Sequence, residues 1–202
     1  MDKKIKILLL IDCQVDFIDG SLANKDAQAC IPAIVEKVKN FDGNAIYLTM
    51  DTHFKDYLNT PEGKKLPVEH CIYGTSGWQI NEKVLEAVEA HYVLGMDVKY
   101  VPKPTFGSVE PTIANTADNS LVELVLDKEK QASSEAGEIV PMEIEMCGFI
   151  SDICVLHNAI ILKAFTYDFA EITVDSKCCA GSTPENHKKA MDLMKIGQIN
   201  VI

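Results

Sequence analysis

The sequence predicts a three-layer α-β-α protein built on a mostly parallel central sheet of about six strands. Three observations lead there. Strand-like and helix-like segments alternate along the whole chain, with no hairpin signal between strands. The first strand candidates, residues 5–11 and 44–50, are apolar runs of the kind found in strands covered on both faces. Finally, chemically capable residues fall at or just past the strand ends: Asp12, Asp51, Lys103 and Cys154. Open parallel sheets bind ligands at the carboxyl ends of their strands, so these four residues are expected along one edge.

Residues 5–11 stop abruptly at Asp12. Residues 27–39 place Cys30, Ile31, Ile34, Val35 and Val38 at helical spacing, with Pro32 expected in the helix's first turn. Residues 44–50 form the second strand and end on Asp51. The segment 51–78 shows no period, and a loop that long in a compact domain is usually functional. Helix returns over 80–91, with Val84, Leu85 and Val88 on one face, and a short strand at 97–102 reaches Lys103. Residues 108–113 are a candidate helix start. Residues 119–126 predict a helix capped by Asn119 or Ser120, and the polar stretch 128–137 predicts an exposed loop. A buried strand follows at 143–149. Beyond Ser151 and Asp152, the residues Val155, Ala159, Leu162 and Phe165 recur at helical spacing. Cys154 therefore lies near a helix N-terminus, where backbone N–H groups and the helix dipole favour an anion. A strand at 171–176, a helix at 184–195 begun by Ser182-Thr183-Pro184 and stopped at Gly197, and a strand at 199–202 complete the pattern.

At 202 residues the chain is expected to form one domain, residues 1–202, with a sizeable core. Its apolar fraction of 47% and charged fraction of 24% are those of a globular protein. A formal charge of −11 argues against nucleic acid or an anionic membrane as partner. The charged start and short apolar run do not read as a secretory leader, and no stretch is long enough to span a bilayer. The seven cysteines (13, 30, 71, 147, 154, 178 and 179) are odd in number and contain no CxxC pair. This argues against a disulfide framework or a cysteine-rich zinc site, and a reduced, cytoplasmic protein is expected.

Each candidate has an ordinary reading beside the chemical one. Cys154 is a nucleophile or a small buried space-filler. Asp12 takes a proton from a nearby thiol, or caps backbone N–H groups; Asp16 is its rival in the same DCQVDF stretch. Lys103, between two prolines, stabilises a thiolate or is one more surface lysine. Asp51, His53, Glu62 and His70 combine two imidazoles with two carboxylates, a set that suits zinc, iron or manganese, although their spacing matches no compact zinc motif. His91, His157 and His187 have no evident partner set. Ile160, Ile161, Phe165 and Phe169 read as core, with a self-association surface as the alternative.

Four stretches in order, LLLIDCQVDF, TMDTH with EHC downstream, VPKPTFGS and CGFISDICV, resemble the isochorismatase-like cysteine hydrolase superfamily and, within it, the nicotinamidases. The resemblance spans nearly the whole chain. It implies a catalytic triad of Asp12, Lys103 and Cys154, and one divalent metal ion held by Asp51, His53, His70 and Glu62, zinc being the first choice and iron or manganese the others. It also implies a cis peptide between Phe149 and Ile150, an oxyanion hole formed by the backbone N–H groups of Ile150 and Cys154, and a homo-oligomer. The metal set separates nicotinamidases from isochorismatases and carbamoyl-amide hydrolases, which generally lack it.

Two departures stand out. Nicotinamidases usually carry a ring-stacking aromatic residue shortly before the last histidine ligand, where this chain has Leu66 in LPVEH. Phe17 and Trp78 are the candidates to contact a substrate ring in its place. The other departure is the polar insert at 128–137. The expected reaction is hydrolysis of a small-molecule amide, nicotinamide to nicotinate and ammonia, through a Cys154 thioester. The alternatives are another small amide or carbamoyl compound and, from a different class, a non-catalytic binding protein on the same scaffold.

Overall fold

The computed structural model describes residues 4–109 and 119–202. The apolar run Ile5–Ile11 forms β1, and it lies in the middle of the sheet with its last five residues sealed from solvent. On one side it pairs with β2 (Ala45–Asp51) and on the other with β4 (Met142–Phe149). β3 (Asp97–Lys103) adds to β2, while β5 (Ala170–Ala180) and β6 (Asn200–Val201) follow β4. Every pairing is parallel and the order is β3-β2-β1-β4-β5-β6. The strands are therefore added outward in one direction from β1 to β3 and in the other from β4 to β6, and the crevice beyond the carboxyl ends of β1 and β4 is where such sheets bind ligands.

The helices are α1 (Val15–Ile18), α2 (Lys25–Lys39), α3 (Glu82–Val93), α4 (Leu121–Ala136), α5 (Leu156–Phe165) and α6 (Pro184–Ile196). α2 and α3 pack on each other, and so do α4, α5 and α6 in sequence. Side-chain caps explain several starts. Asn24 accepts from the N–H groups of Asp26 and Ala27, Asn81 from Lys83, and Thr183 from Asn186. Ser120 and Glu123 form a reciprocal capping box at α4.

Four expectations need correction. Pro32 lies well inside α2, because the Asn24 cap starts that helix at Lys25, two residues earlier than the apolar spacing suggests. Residues 128–137 are mostly not a loop: α4 continues to Ala136 and ends at left-handed Gly137 (φ 76°). Lys, Glu, Gln and Ala are good helix formers, so a polar stretch there is a solvated helix face. β5 runs to Ala180, four residues beyond the expected end, because Cys179 and Ala180 pair with Gly148 and Phe149 past a register shift. Ile160 and Phe165 are half exposed rather than core. The helix start expected at 108–113 lies largely outside the described residues, and Ser108 and Val109 are not helical. Among the described residues, no helix is long and apolar enough to cross a membrane.

Gly148 is required by β4. Its φ is 124°, and a Cβ there would lie 2.1 Å from Ile11 O. That close approach brings the ends of β1 and β4 together just before the cis peptide Phe149–Ile150.

Candidate active site

The strand order brings the four sequence candidates to one edge. Asp51 and Lys103 are register partners at the ends of β2 and β3. Asp12 follows β1, and Cys154 sits in a π-helical turn, Ser151–Val155, between β4 and α5. Lys103 Nζ reaches across β2 to lie 2.7 Å from Asp12 Oδ2, 3.6 Å from Asp51 Oδ1 and 3.5 Å from Cys154 Sγ. Lys103 and Asp12 have no exposed surface and Cys154 is 4% exposed. Lys103 is thus a fully buried ammonium, which the two carboxylates make tenable.

Hydrogen bonds orient this group. Thr49 Oγ1 donates to Asp12 Oδ1 at 2.6 Å and accepts from Asp12 N at 3.1 Å. Asp12 Oδ2 has the ammonium close by but accepts no well-aligned hydrogen bond. Burial raises the Asp12 carboxyl, with Lys103 only partly offsetting it. Burial likewise pushes the Cys154 thiol well above its usual range; Lys103 draws it down and Asp12 pushes it up. For Lys103, burial opposes the charge, but Asp12, Cys154 and Asp51 together hold its pKa well above the usual value. Lys103 is held as an ammonium between the two carboxyl groups, and Asp12 lies where it can receive the thiol proton.

A second cluster adjoins the first. His53 Nε2 lies 3.1 Å from Asp51 Oδ2 and 3.7 Å from Glu62 Oε1; His70 Nε2 lies 3.3 Å and 4.0 Å from the same atoms. Two ligands bound tetrahedrally to zinc at usual bond lengths stand about 3.4 Å apart, so these spacings fit a shared divalent ion. His53 Nε2 is buried without an aligned hydrogen-bond partner, as a nitrogen lone pair aimed at a cation would be. His70 Nδ1 hydrogen-bonds Val68 O at 2.8 Å, which directs Nε2 into the cluster. Burial and Asp51 raise the Glu62 carboxyl, a crowding that a cation would relieve. Burial also works against Asp51, but Lys103 and the imidazoles outweigh it and hold that carboxyl well below the usual carboxylate range.

A cleft of about 960 Å³ opens over both clusters, lined among others by Phe17, Leu66, Phe106, Ile150 and Cys154. Phe17 and Leu66 both lie in this lining. Trp78 is not in the lining: its indole N–H donates to Thr52 Oγ1 at 2.9 Å and its ring meets Tyr73 edge-on. The bridge between Gln14 and Ile80, with Gln14 Nε2 donating to Trp78 O at 2.7 Å, holds it there. Asp16 is no rival to Asp12, since its carboxylate accepts from Cys71 N at 2.7 Å and Ser21 N at 3.0 Å, pinning the His70 loop. Ile150 O accepts from Ile153 N and Val155 N, which tightens the turn bearing the thiol.

Sequence reading missed several contributors. Gln14, fully buried, clamps the backbone of Asp51 through both ends of its amide. Tyr57 packs against the rings of His53 and His70 and donates to Leu66 O. Phe106 supplies a cleft wall. Phe106 and Gln14 lay inside the VPKPTFGS and LLLIDCQVDF stretches, but neither their roles nor that of Tyr57 could be read without their long-range partners.

Comparison with known proteins bears on the fold and the family. A Bacillus subtilis (strain 168) relative described as "uncharacterized isochorismatase family protein PncA" is 29% identical over 191 residues, 92% of each chain. The solved nicotinamidase/pyrazinamidase PncA of Bacillus subtilis superposes with a TM-score of 0.74 at 24% identity, covering 98% of both chains. The Pyrococcus horikoshii pyrazinamidase, solved in complex with zinc, gives 0.66 at 20% identity, again over 98% of both. These likenesses support the three-layer fold with its parallel six-stranded sheet. Residues 6–202 match the family model for the isochorismatase domain, and the chain belongs to that family of hydrolases.

Proposed function

We propose that this chain is a cysteine amidohydrolase that converts nicotinamide to nicotinate and ammonia. The observation that carries the reading is the sealed contact of Lys103 Nζ with both Asp12 Oδ2 (2.7 Å) and Cys154 Sγ (3.5 Å), beside the Asp51, His53 and His70 cluster that Glu62 adjoins. A space-filling cysteine has no need of a buried ammonium and a carboxylate with an open acceptor position.

In this reading the amide lies in the cleft with its ring between Phe17, Leu66 and Phe106. As the thiol attacks the carbonyl carbon, its proton moves to Asp12 Oδ2 and Lys103 offsets the negative charge. The carbonyl oxygen becomes an oxyanion, and the backbone N–H groups of Ile150 and Cys154 are the proposed donors to it. Asp12 returns the proton to the amide nitrogen, the C–N bond breaks and ammonia leaves. Asp12 then draws a proton from water, which attacks the thioester; nicotinate is released and the thiol is re-formed. Asp51, His53, Glu62 and His70 would hold a divalent ion, zinc first, with iron or manganese also suited to the donor set; it would supply a Lewis-acid anchor for the pyridine nitrogen.

The experiment is ammonia release from nicotinamide by purified protein before and after chelation and metal restoration. Release that is lost on chelation and returns with metal supports both clusters. No release with metal confirmed bound refutes nicotinamide as substrate. A second reading, another small amide or carbamoyl compound, draws on the cleft volume. About 960 Å³ lies near the top of the range for small-molecule pockets, more than one pyridine ring fills. Self-association is proposed alongside, with light scattering after gel filtration as its check.

A further inference from the structure

Asn158 makes three hydrogen bonds that the scheme above does not use. It lies on α5, one turn beyond Cys154, and is 1% exposed. Its Nδ2 donates to Cys154 O at 2.8 Å and to Phe106 O at 3.0 Å, and its Oδ1 accepts from Ser108 N at 3.0 Å. Ser108 Oγ accepts in turn from Leu121 N at 2.9 Å, the first residue of α4. One carboxamide thus joins the turn that bears the thiol, the loop that bears the cleft wall and the start of α4.

Two features distinguish this from incidental packing. The π-helical turn changes the hydrogen-bond register just where α5 begins, and Asn158 supplies a donor to the Cys154 carbonyl at that junction. In addition, both donors and the acceptor of the amide are engaged with backbone atoms, which sets its orientation and makes each partner dependent on the others. Phe106 and Cys154 both line the cleft, although they are 48 residues apart in the chain.

We infer that Asn158 is a positioning residue that sets the distance between the Cys154 thiol and the Phe106 wall. The kinetic arm of its test rests on the amide-hydrolase reading; the labelling arm does not.

The test compares wild type with Asn158→Leu and Asn158→Ser. Leu keeps the branched outline and heavy-atom count, with somewhat larger bulk, and removes every side-chain hydrogen bond. Ser can still bond the carbonyl one turn back, Cys154 O, but cannot reach Phe106 or Ser108. For Asn158→Leu, kcat on nicotinamide should fall on the order of 100-fold, as for an ångström-scale misplacement, and KM should rise severalfold. For Asn158→Ser, the KM rise should persist while kcat stays nearer wild type. In both, iodoacetamide should alkylate Cys154 several-fold faster, while half-buried Cys30 on α2, read by mass spectrometry in the same sample, keeps its wild-type rate. A simple loss of folded protein would lower kcat at constant KM and accelerate Cys30 with Cys154; that result overturns the inference, as do unchanged kinetics and labelling. If Asn158→Leu does not fold, Asn158→Ser decides by the same readouts. If wild type releases no ammonia, the amide-hydrolase reading fails while the Cys154-to-Cys30 labelling contrast still decides the role of Asn158.

Discussion

Replacing Lys103 by Met would separate what the buried ammonium does for the fold from what it does for chemistry. At an effective dielectric of 20, its attraction to Asp12 at 2.7 Å is about 6 kcal/mol. Its attraction to Asp51 at 3.6 Å is about 5 kcal/mol on the same basis. Most of this is cancelled by the cost of removing three charges from water. What survives when one partner is deleted is the penalty on the abandoned carboxylates, about 3–5 kcal/mol of lost stability. Urea unfolding at neutral pH measures it. The pKa of Lys103 is raised on folding, so its contribution is fully present below the unfolded value of about 10.4 and is lost only as pH climbs through the higher folded value. The deficit should therefore be undiminished at neutral pH. Adding Asp12→Asn removes the stranded charge as well, and the double variant should recover at least half of the lost stability. Neither variant should recover turnover, because thiol proton and charge offset are both gone; kcat should fall by a factor of about 100 or more. A single variant as stable as wild type, or one with kcat within tenfold, would refute the reasoning.

Three further outcomes are expected. Cys154→Ala should abolish ammonia release while metal content, read by mass spectrometry of the metals, stays at the wild-type level, since the thiol is not among the Asp51, His53 and His70 donors. His53→Ala should weaken metal binding by about 10-fold or more in competition with a chelator and raise KM for nicotinamide in parallel. Ser120→Ala breaks the α4 capping box and should cost about 1 kcal/mol in chemical denaturation without altering KM.

The sheet was largely legible before any coordinates, because a strand covered on both faces leaves a plain apolar run and its end is marked by the first polar residue. Asp12 and Asp51 stood out for that reason, and Lys103 because two prolines frame it. Helix ends were less legible: α2 begins at a cap, Asn24, that precedes the apolar spacing, and the second half of α4 has a polar face that reads like a loop. The parts of the site that escaped notice are those whose meaning depends on a distant partner. Gln14 looks like any glutamine until the backbone of Asp51 is placed 37 residues away in sequence and 2.7 Å away in space. Asn158 and Phe106 are in the same position. Trp78 failed as a ring contact because composition near a motif says nothing about which way a loop faces.

The placement of β1 has a consequence for how the chain is made. Residues 5–11 are made before the other strands of the sheet, yet one of their two neighbours, residues 142–148, is synthesised more than a hundred residues later. Pairing with β2 can satisfy one edge early; the other edge, flanked by five fully apolar residues, waits until most of the polypeptide exists. Non-local parallel pairing of this kind is slow and leaves an adhesive edge available to other nascent chains. Soluble yield should therefore respond more to slower synthesis and to chaperone supply than the finished fold would suggest, and Asp12, fixed at the end of that strand, joins Cys154 only after β4 has been made.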